Sequence, residues 1–241
     1  MVDDQNTEQV DSADEDDIES RRRGTEELGR AMRALAEAVV LTEVHPTQLI
    51  AAARIADSLT DALTAESRSI RQIPAVDDMG SGVRYFSPVT GVGHPTSPPM
   101  ERTLREDGSL VAWGTLGANF EGPPSLTHGG MIALIFDELL GWAATAVHAH
   151  GLTASLEVSY LRGVPLGKEI TITARVVRQE GRKVWAEGDL ALTSDQNRIL
   201  STAKALFVRP REELRHEYFD ELTERSGRPA LDSDHWHTPT A

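Results

Sequence analysis

Apolar positions change rhythm along this chain. Leu28, Met32, Leu35 and Val39 recur at the spacing of one helix face. His45-Pro46 interrupts that run, because a residue before proline disfavours helix. Leu49, Ala53, Ala56, Leu59 and Leu63 form a second helical stripe, closed before Pro74. The two stripes predict a helical hairpin. Residues 74–100 are rich in Gly and Pro; Val83 to Phe86 reads as a short strand and Thr96 to Met100 as a loop. From Leu110 the rhythm becomes alternation. Leu110, Ala112, Gly114, Leu116 and Ala118 share one face, with Val111 and Trp113 on the other. Residues 120–124 read as a loop. The run from Met131 to Phe136 has no polar position, and a helix apolar all round belongs inside a core. That helix is predicted to reach about His150. Segments 152–163, 168–180, 182–194 and 197–208 follow as strands, separated by turn signals at 163–167, Glu180-Gly181 and Asp195-Gln196-Asn197. The predicted order is a strand, a long apolar helix, then a meander of four antiparallel strands. This is an α+β fold in which an antiparallel sheet wraps around a central helix.

Composition sharpens this picture. A chain of 241 residues suits one large domain or a domain with an extension. It has no cysteine, which excludes disulfides and cysteine metal sites. No apolar run approaches the roughly 20 residues of a membrane helix, and the N-terminus is acidic rather than basic and then apolar. A cytoplasmic protein without membrane insertion is expected. The net charge of −14 argues against general nucleic-acid binding, which needs a basic footprint. The acids between Asp3 and Glu19 repel one another and offer little to a core. Residues 1–23 are therefore expected as a disordered acidic tail, with Arg21-Arg22-Arg23 as charge balance. A helical extension over 24–78, the main domain over 79–210 and a charged tail over 211–241 complete the division. Within that last tail, Glu212 to Leu222 reads as a charged helix.

Candidate chemistry concentrates in the apolar helix. Gly129 and Gly130 mark a turn where backbone can approach a ligand. Asp137 interrupts the apolar run, and a buried charge is costly unless paired or used. The residues alone allow either a satisfied core acid or a reactive one. Glu138 points about 100° away around the helix and reads as structural. His148 and His150 suit the negative end of the helix dipole, Trp185 reads as core, and His235 and His237 lie in the polar tail. No metal site is expected.

The combination of Glu121-Gly122-Pro123-Pro124, His128-Gly129-Gly130, Asp137, Thr153 to Tyr160 and Pro165-Leu166-Gly167 resembles the hotdog-fold acyl-CoA thioesterases, in their PaaI-like branch. The acid stands nine residues after the histidine and the threonine sixteen after the acid. The resemblance covers about residues 79–208. It implies that Asp137 is the general base or nucleophile and that Thr153 orients water beside it. It implies that the amide of Gly129, with Gly130 next to it, forms an oxyanion hole, and that His128 shapes the turn and contacts the substrate carbonyl region. Arg182 and Lys183 match a basic pair that contacts the coenzyme A phosphates, and Ser159 a position touching the pantetheine arm. Leu161 departs from the pattern, since a lysine can stand there, and Arg162 compensates. No cofactor is implied beyond the coenzyme A of the substrate.

Spacing adds a requirement of its own. Gly129 and Asp137 are eight residues apart, roughly 12 Å along a helix at about 1.5 Å per residue. An oxyanion donor and an attacking group must each reach one carbonyl at about 3 Å. One subunit's pair cannot serve one carbonyl, so a homodimer with sites shared between subunits is expected, with a dimer of dimers as a further step. Two other functions fit the same fold. A non-catalytic acyl-CoA-binding protein would need neither Asp137 nor Thr153. A hotdog dehydratase would want a histidine and acid poised over the acyl chain, whereas His128 stands before two glycines.

Overall fold

A computed structural model describes residues 4–78, 81–149, 151–211, 214 and 221–223. Three long helices and six strands make up the fold: α1 (Asp4–Leu41), α2 (Pro46–Thr64), β1 (Glu101–Leu104), β2 (Leu110–Thr115), α3 (Gly129–Ala146), β3 (Leu152–Tyr160), β4 (Glu169–Glu180), β5 (Lys183–Leu192) and β6 (Asp195–Val208). A short 3₁₀ turn spans Ala118–Phe120. All neighbouring strands pair antiparallel, in the order β1-β2-β4-β5-β6-β3.

The sheet wraps around α3 as the alternation predicts. Ile132, Ile135, Phe136, Leu139, Leu140, Ala143 and Ala144 of α3 are buried. They meet Ile170, Ile172 and Ala174 of β4, Ala186 and Leu190 of β5, and Ala203, Ala205 and Phe207 of β6 in one cluster. Burying each large side chain contributes roughly 1.5–3 kcal/mol. Gly188 lets the helix come close: a Cβ there would stand 3.3 Å from both Phe136 and Leu140. By length and composition the 18 residues of α3 would also pass for a membrane span, but its apolar face is the core of the sheet.

Four expectations change. The meander covers only β4, β5 and β6. β3 lies at the sheet edge beside β6, because its outgoing chain is led away. Leu161 and Arg162 both donate to Leu200 O, Pro165 bridges to Leu126, and Thr127 donates to Val164 O. This carries the chain past the start of α3 to the far side of the sheet. Val83 to Phe86 forms only a bridge to Asp78 and turns. The additional strand is β1, which shows no apolar alternation because most of it is exposed. The central helix stops at Ala146, short of His150. Its end closes through His148, at φ +57°, with His148 N–H donating to Thr145 O and Ala149 N–H to Ala144 O. His150, His235 and His237 lie outside the described residues, as does most of the Glu212 to Leu222 segment.

The N-terminal region also differs. α1 is one helix from Asp4, so the acidic segment continues it instead of forming a disordered tail. Nothing between Asp4 and Arg23 breaks a helix, and acids near an N-terminus favour the dipole. Arg22 does more than balance charge: its Nε donates to Val76 O at 3.1 Å and its guanidinium lies over the Tyr85 ring. Gly29 is buried against Val92 and Gly93, and Arg33 donates to Val92 O at 2.6 Å and His94 O at 2.9 Å. α2 buries none of its residues, so the predicted hairpin is not held by packing between its two helices.

Candidate active site

The site begins with the turn before α3. His128 caps the helix: its Nδ1 accepts from Gly130 N–H at 3.0 Å. An accepting Nδ1 leaves the hydrogen of a neutral ring on Nε2, a further donor at the same end. The Gly130 N–H is thus engaged, while that of Gly129 has no acceptor among the described residues. First-turn N–H groups of a helix lack internal partners, and the dipole makes them positive. The Gly129 N–H is therefore left without an internal partner at the positive end of α3, among the described residues.

Several contacts hold this turn. His128 N–H donates to Phe120 O at 2.8 Å. Ser125, at φ +64°, donates its N–H to Glu121 Oε1 at 2.7 Å. Tyr160 Oη donates to Gly129 O at 2.8 Å. A Cβ on Gly129 would come 3.3 Å from the Tyr160 ring, tighter than ordinary contact. Tyr160 was not singled out from the sequence. An aromatic residue closing an exposed strand opposite a Gly-Gly turn was the available signal.

Two turns further along α3, Asp137 is half-buried. Thr153 on β3 donates its hydroxyl to Asp137 Oδ1 at 2.8 Å. The strand is irregular there, with a register shift between Thr153 and Ser155. Oδ2 has no hydrogen-bond partner among the described residues. The sequence-predicted acid and hydroxyl thus meet, and they belong to one subunit. Glu138 faces elsewhere, as expected. It accepts from buried Ser87 at 2.6 Å and from Thr90 and Trp142 at 3.4 Å, and Arg102 stacks 3.8 Å over the Trp142 ring. Burial holds the Arg102 guanidinium below its usual range, opposed by the Glu138 charge. Trp185 is half-buried beneath the Arg178 guanidinium, 3.9 Å away.

The four substrate-contact candidates do not come together within one subunit. Ser159 pairs with Thr202, and Arg162 donates to Ile199 O at 3.0 Å, so both lie at the Gly129 end. Lys183 pairs with Val208, which also pairs with Leu152 beside Thr153. Arg182 donates to Arg209 O at 2.7 Å at the same Asp137 end. The eight steps from Leu152 to Tyr160 separate the two groups by about 26 Å at 3.3 Å per residue. Among the described residues no group of three or more metal-ligating side chains occurs.

An antiparallel sheet curled around an apolar helix is the hotdog arrangement, and here the helix carries an acid and a capped Gly-Gly turn at its start. Residues 125–191 match the model of the Thioesterase superfamily. The chain is 37% identical over 159 residues to the acyl-coenzyme A thioesterase THEM4 of Xenopus laevis, covering 60% of this chain and 70% of the relative. It is 29% identical over 93 residues to the mouse protein of the same name, covering 39% and 40%. The crystal structure of a thioesterase superfamily protein superposes with a TM-score of 0.68 at 30% identity, covering 76% of this chain and 94% of that one. The chain belongs to the thioesterase superfamily.

Proposed function

We infer that the protein hydrolyses acyl-CoA thioesters to a free acid and coenzyme A, at sites built between two subunits. The observation that carries this reading is the Thr153 to Asp137 hydrogen bond of 2.8 Å. It leaves Oδ2 of a half-buried carboxylate to take a proton from water. The water oxygen forms a bond to the thioester carbonyl carbon, and the carbonyl π electrons move onto oxygen. That oxyanion is received by the Gly129 N–H, with His128 Nε2–H beside it. Collapse restores the carbonyl and breaks the C–S bond. The proton held on Asp137 passes to the departing sulfur, giving acid and thiol. A thiolate is a good leaving group, with a pKa near 8.5 for an ordinary thiol, so no second acid is required.

The dimer follows from two features. Gly129 and Asp137 lie on one continuous helix, as the spacing argument assumes. Among the described residues β3 closes the sheet with a free edge, and its residues are mostly exposed. A long exposed edge invites pairing. Two β3 strands pairing antiparallel about a twofold axis would bring the Gly129 and Tyr160 end of one subunit to the Asp137 and Thr153 end of the other. The same operation would bring Ser159 and Arg162 toward the partner subunit's basic pair, so that one coenzyme A contacts both groups. This reading favours a homodimer acting on acyl-CoA, and a cytoplasmic location remains the expectation of the sequence.

The test is a hydrolysis screen over acyl-CoA esters from acetyl to palmitoyl, with benzoyl and phenylacetyl included, following thiol release. The expected result is release from at least one class with loss of activity in Asp137→Asn. Tight acyl-CoA binding without any release would establish a binding protein, and interconversion of hydroxyacyl and enoyl esters a dehydratase.

A further inference from the structure

The N-terminal helix reaches the oxyanion turn through Glu37. Its carboxylate accepts from the backbone N–H of Ala118 at 2.9 Å and of Asn119 at 3.4 Å. These are the first N–H groups of the 3₁₀ turn at Ala118–Phe120, whose own cap residue, Gly117, supplies no side-chain hydrogen bond. Gly117 leaves the space: a Cβ there would stand 2.5 Å from Glu37 Oε2. The carboxylate thus caps a helical turn from a distant part of the chain, doing what a local Ser or Asp does elsewhere.

That turn ends at Phe120, whose ring is buried in the core and whose carbonyl accepts the His128 N–H at 2.8 Å. His128 in turn caps α3 and sets the direction of Gly129 N–H. The path from Glu37 to the oxyanion donor is therefore continuous: carboxylate, 3₁₀ turn, Phe120 carbonyl, His128, Gly129. The loop has little slack beyond it, since a Cβ on Gly122 would meet His128 Cα at 2.8 Å.

We propose that Glu37 is a positioning residue for catalysis, which makes α1 part of the active site although it lies outside the residues matched by the family model. It touches no reacting atom. It fixes the 3₁₀ turn so that the Gly129 N–H points where the oxyanion forms. Misplacing a catalytic group by 1 Å can cost on the order of 10²-fold in rate. The proposal rests on the reading of Gly129 as oxyanion donor.

Arg33 supplies the control. It lies on the same helix and makes two bonds, at 2.6 and 2.9 Å, but to Val92 O and His94 O rather than to the 3₁₀ turn. Full-length Glu37→Ala, Glu37→Gln and Arg33→Ala are compared with wild type in kcat, KM, melting temperature and backbone hydrogen exchange across residues 117–131. Glu37→Ala should lower kcat on the order of 10-fold or more with KM within about threefold, as loss of a transition-state interaction requires. Glu37→Gln keeps one acceptor oxygen and should recover part of the loss. Arg33→Ala should lower the melting temperature and leave kcat within about twofold. Exchange at 117–131 should rise in Glu37→Ala and not in Arg33→Ala. The proposal is overturned if Glu37→Ala keeps kcat, or if Arg33→Ala loses as much, since docking of α1 would then be the whole effect. Should Glu37→Ala not fold, Glu37→Gln matching wild type in kcat and exchange overturns it equally. Hydrogen exchange needs no substrate. Faster exchange with full activity would therefore refute Gly129 as the donor while upholding the structural path, and unchanged exchange refutes the path itself.

Discussion

Midway along α3 the protein presents a side chain, Asp137, held by one hydroxyl from the neighbouring strand. At the start of the same helix it presents a backbone N–H, aimed by contacts from Phe120, His128, Tyr160 and, further out, Glu37. A reactive side chain can be removed by one substitution, and its loss is local. A backbone donor cannot be deleted; it can only be turned away, and several residues share in holding it. The acid end should thus respond to mutation steeply at one position, and the turn end in graded fashion at several.

The steepest test is Asp137→Asn, which keeps shape and removes the base. It should lower kcat by about 10²–10⁴ with the dimer intact by light scattering; retention of more than half the activity would end the assignment. A second test joins the two ends. Gly129→Val blocks the turn against Tyr160, and mixing it with Asp137→Asn gives heterodimers in which one site has both ends intact. With about half the dimers mixed and one good site of two in each, activity should return to roughly a quarter of wild type. No return after subunit exchange is proven by mass spectrometry would mean that the carbonyl is not held between subunits and that another group serves as oxyanion donor. Thr153→Ala leaves the carboxylate in place but free to turn. One lost hydrogen bond to a charge, roughly 1.5 kcal/mol, predicts about a tenfold fall in kcat; an unchanged kcat makes Thr153 structural. The smallest effect is expected from Arg182→Ala with Lys183→Ala, exposed groups whose attraction for phosphate is screened by salt. KM for acyl-CoA should rise at low salt, while a short thioester lacking phosphates is unaffected. Equal losses on both substrates would assign the pair to the fold, where Arg182 already holds Arg209 O.

The acid end was legible in the sequence and the turn end only in part. Asp137 stands out as a carboxylate within an apolar run, and its partnership with Thr153 is what the family resemblance implies. The apolar run itself announced the core helix, alternation announced β2, and turn signals bounded the segments that become β3 to β6. Strand order did not show. The pattern of β3 says which residues alternate, not that the chain after Tyr160 is carried off toward Leu126 and Val164. β1 escaped because exposed strands carry no apolar rhythm. Tyr160 and Glu37 escaped for a related reason: each acts on backbone groups, and a backbone carbonyl or N–H leaves no mark in the residue pattern. Glu37 lies 81 positions before its partner Ala118, in a helix whose apolar stripe drew all the notice.

The free edge of β3 has a consequence for how this protein works at different concentrations. If each site is assembled from two chains, the amount of active site varies with the square of the free subunit concentration once the protein is dilute. Specific activity would then fall on dilution without any unfolding. A thioester lying across such a seam would bind the pair better than the single chain, so mass action would make substrate itself drive association. The reaction's own fuel would hold the machine together, and its exhaustion would let the halves part.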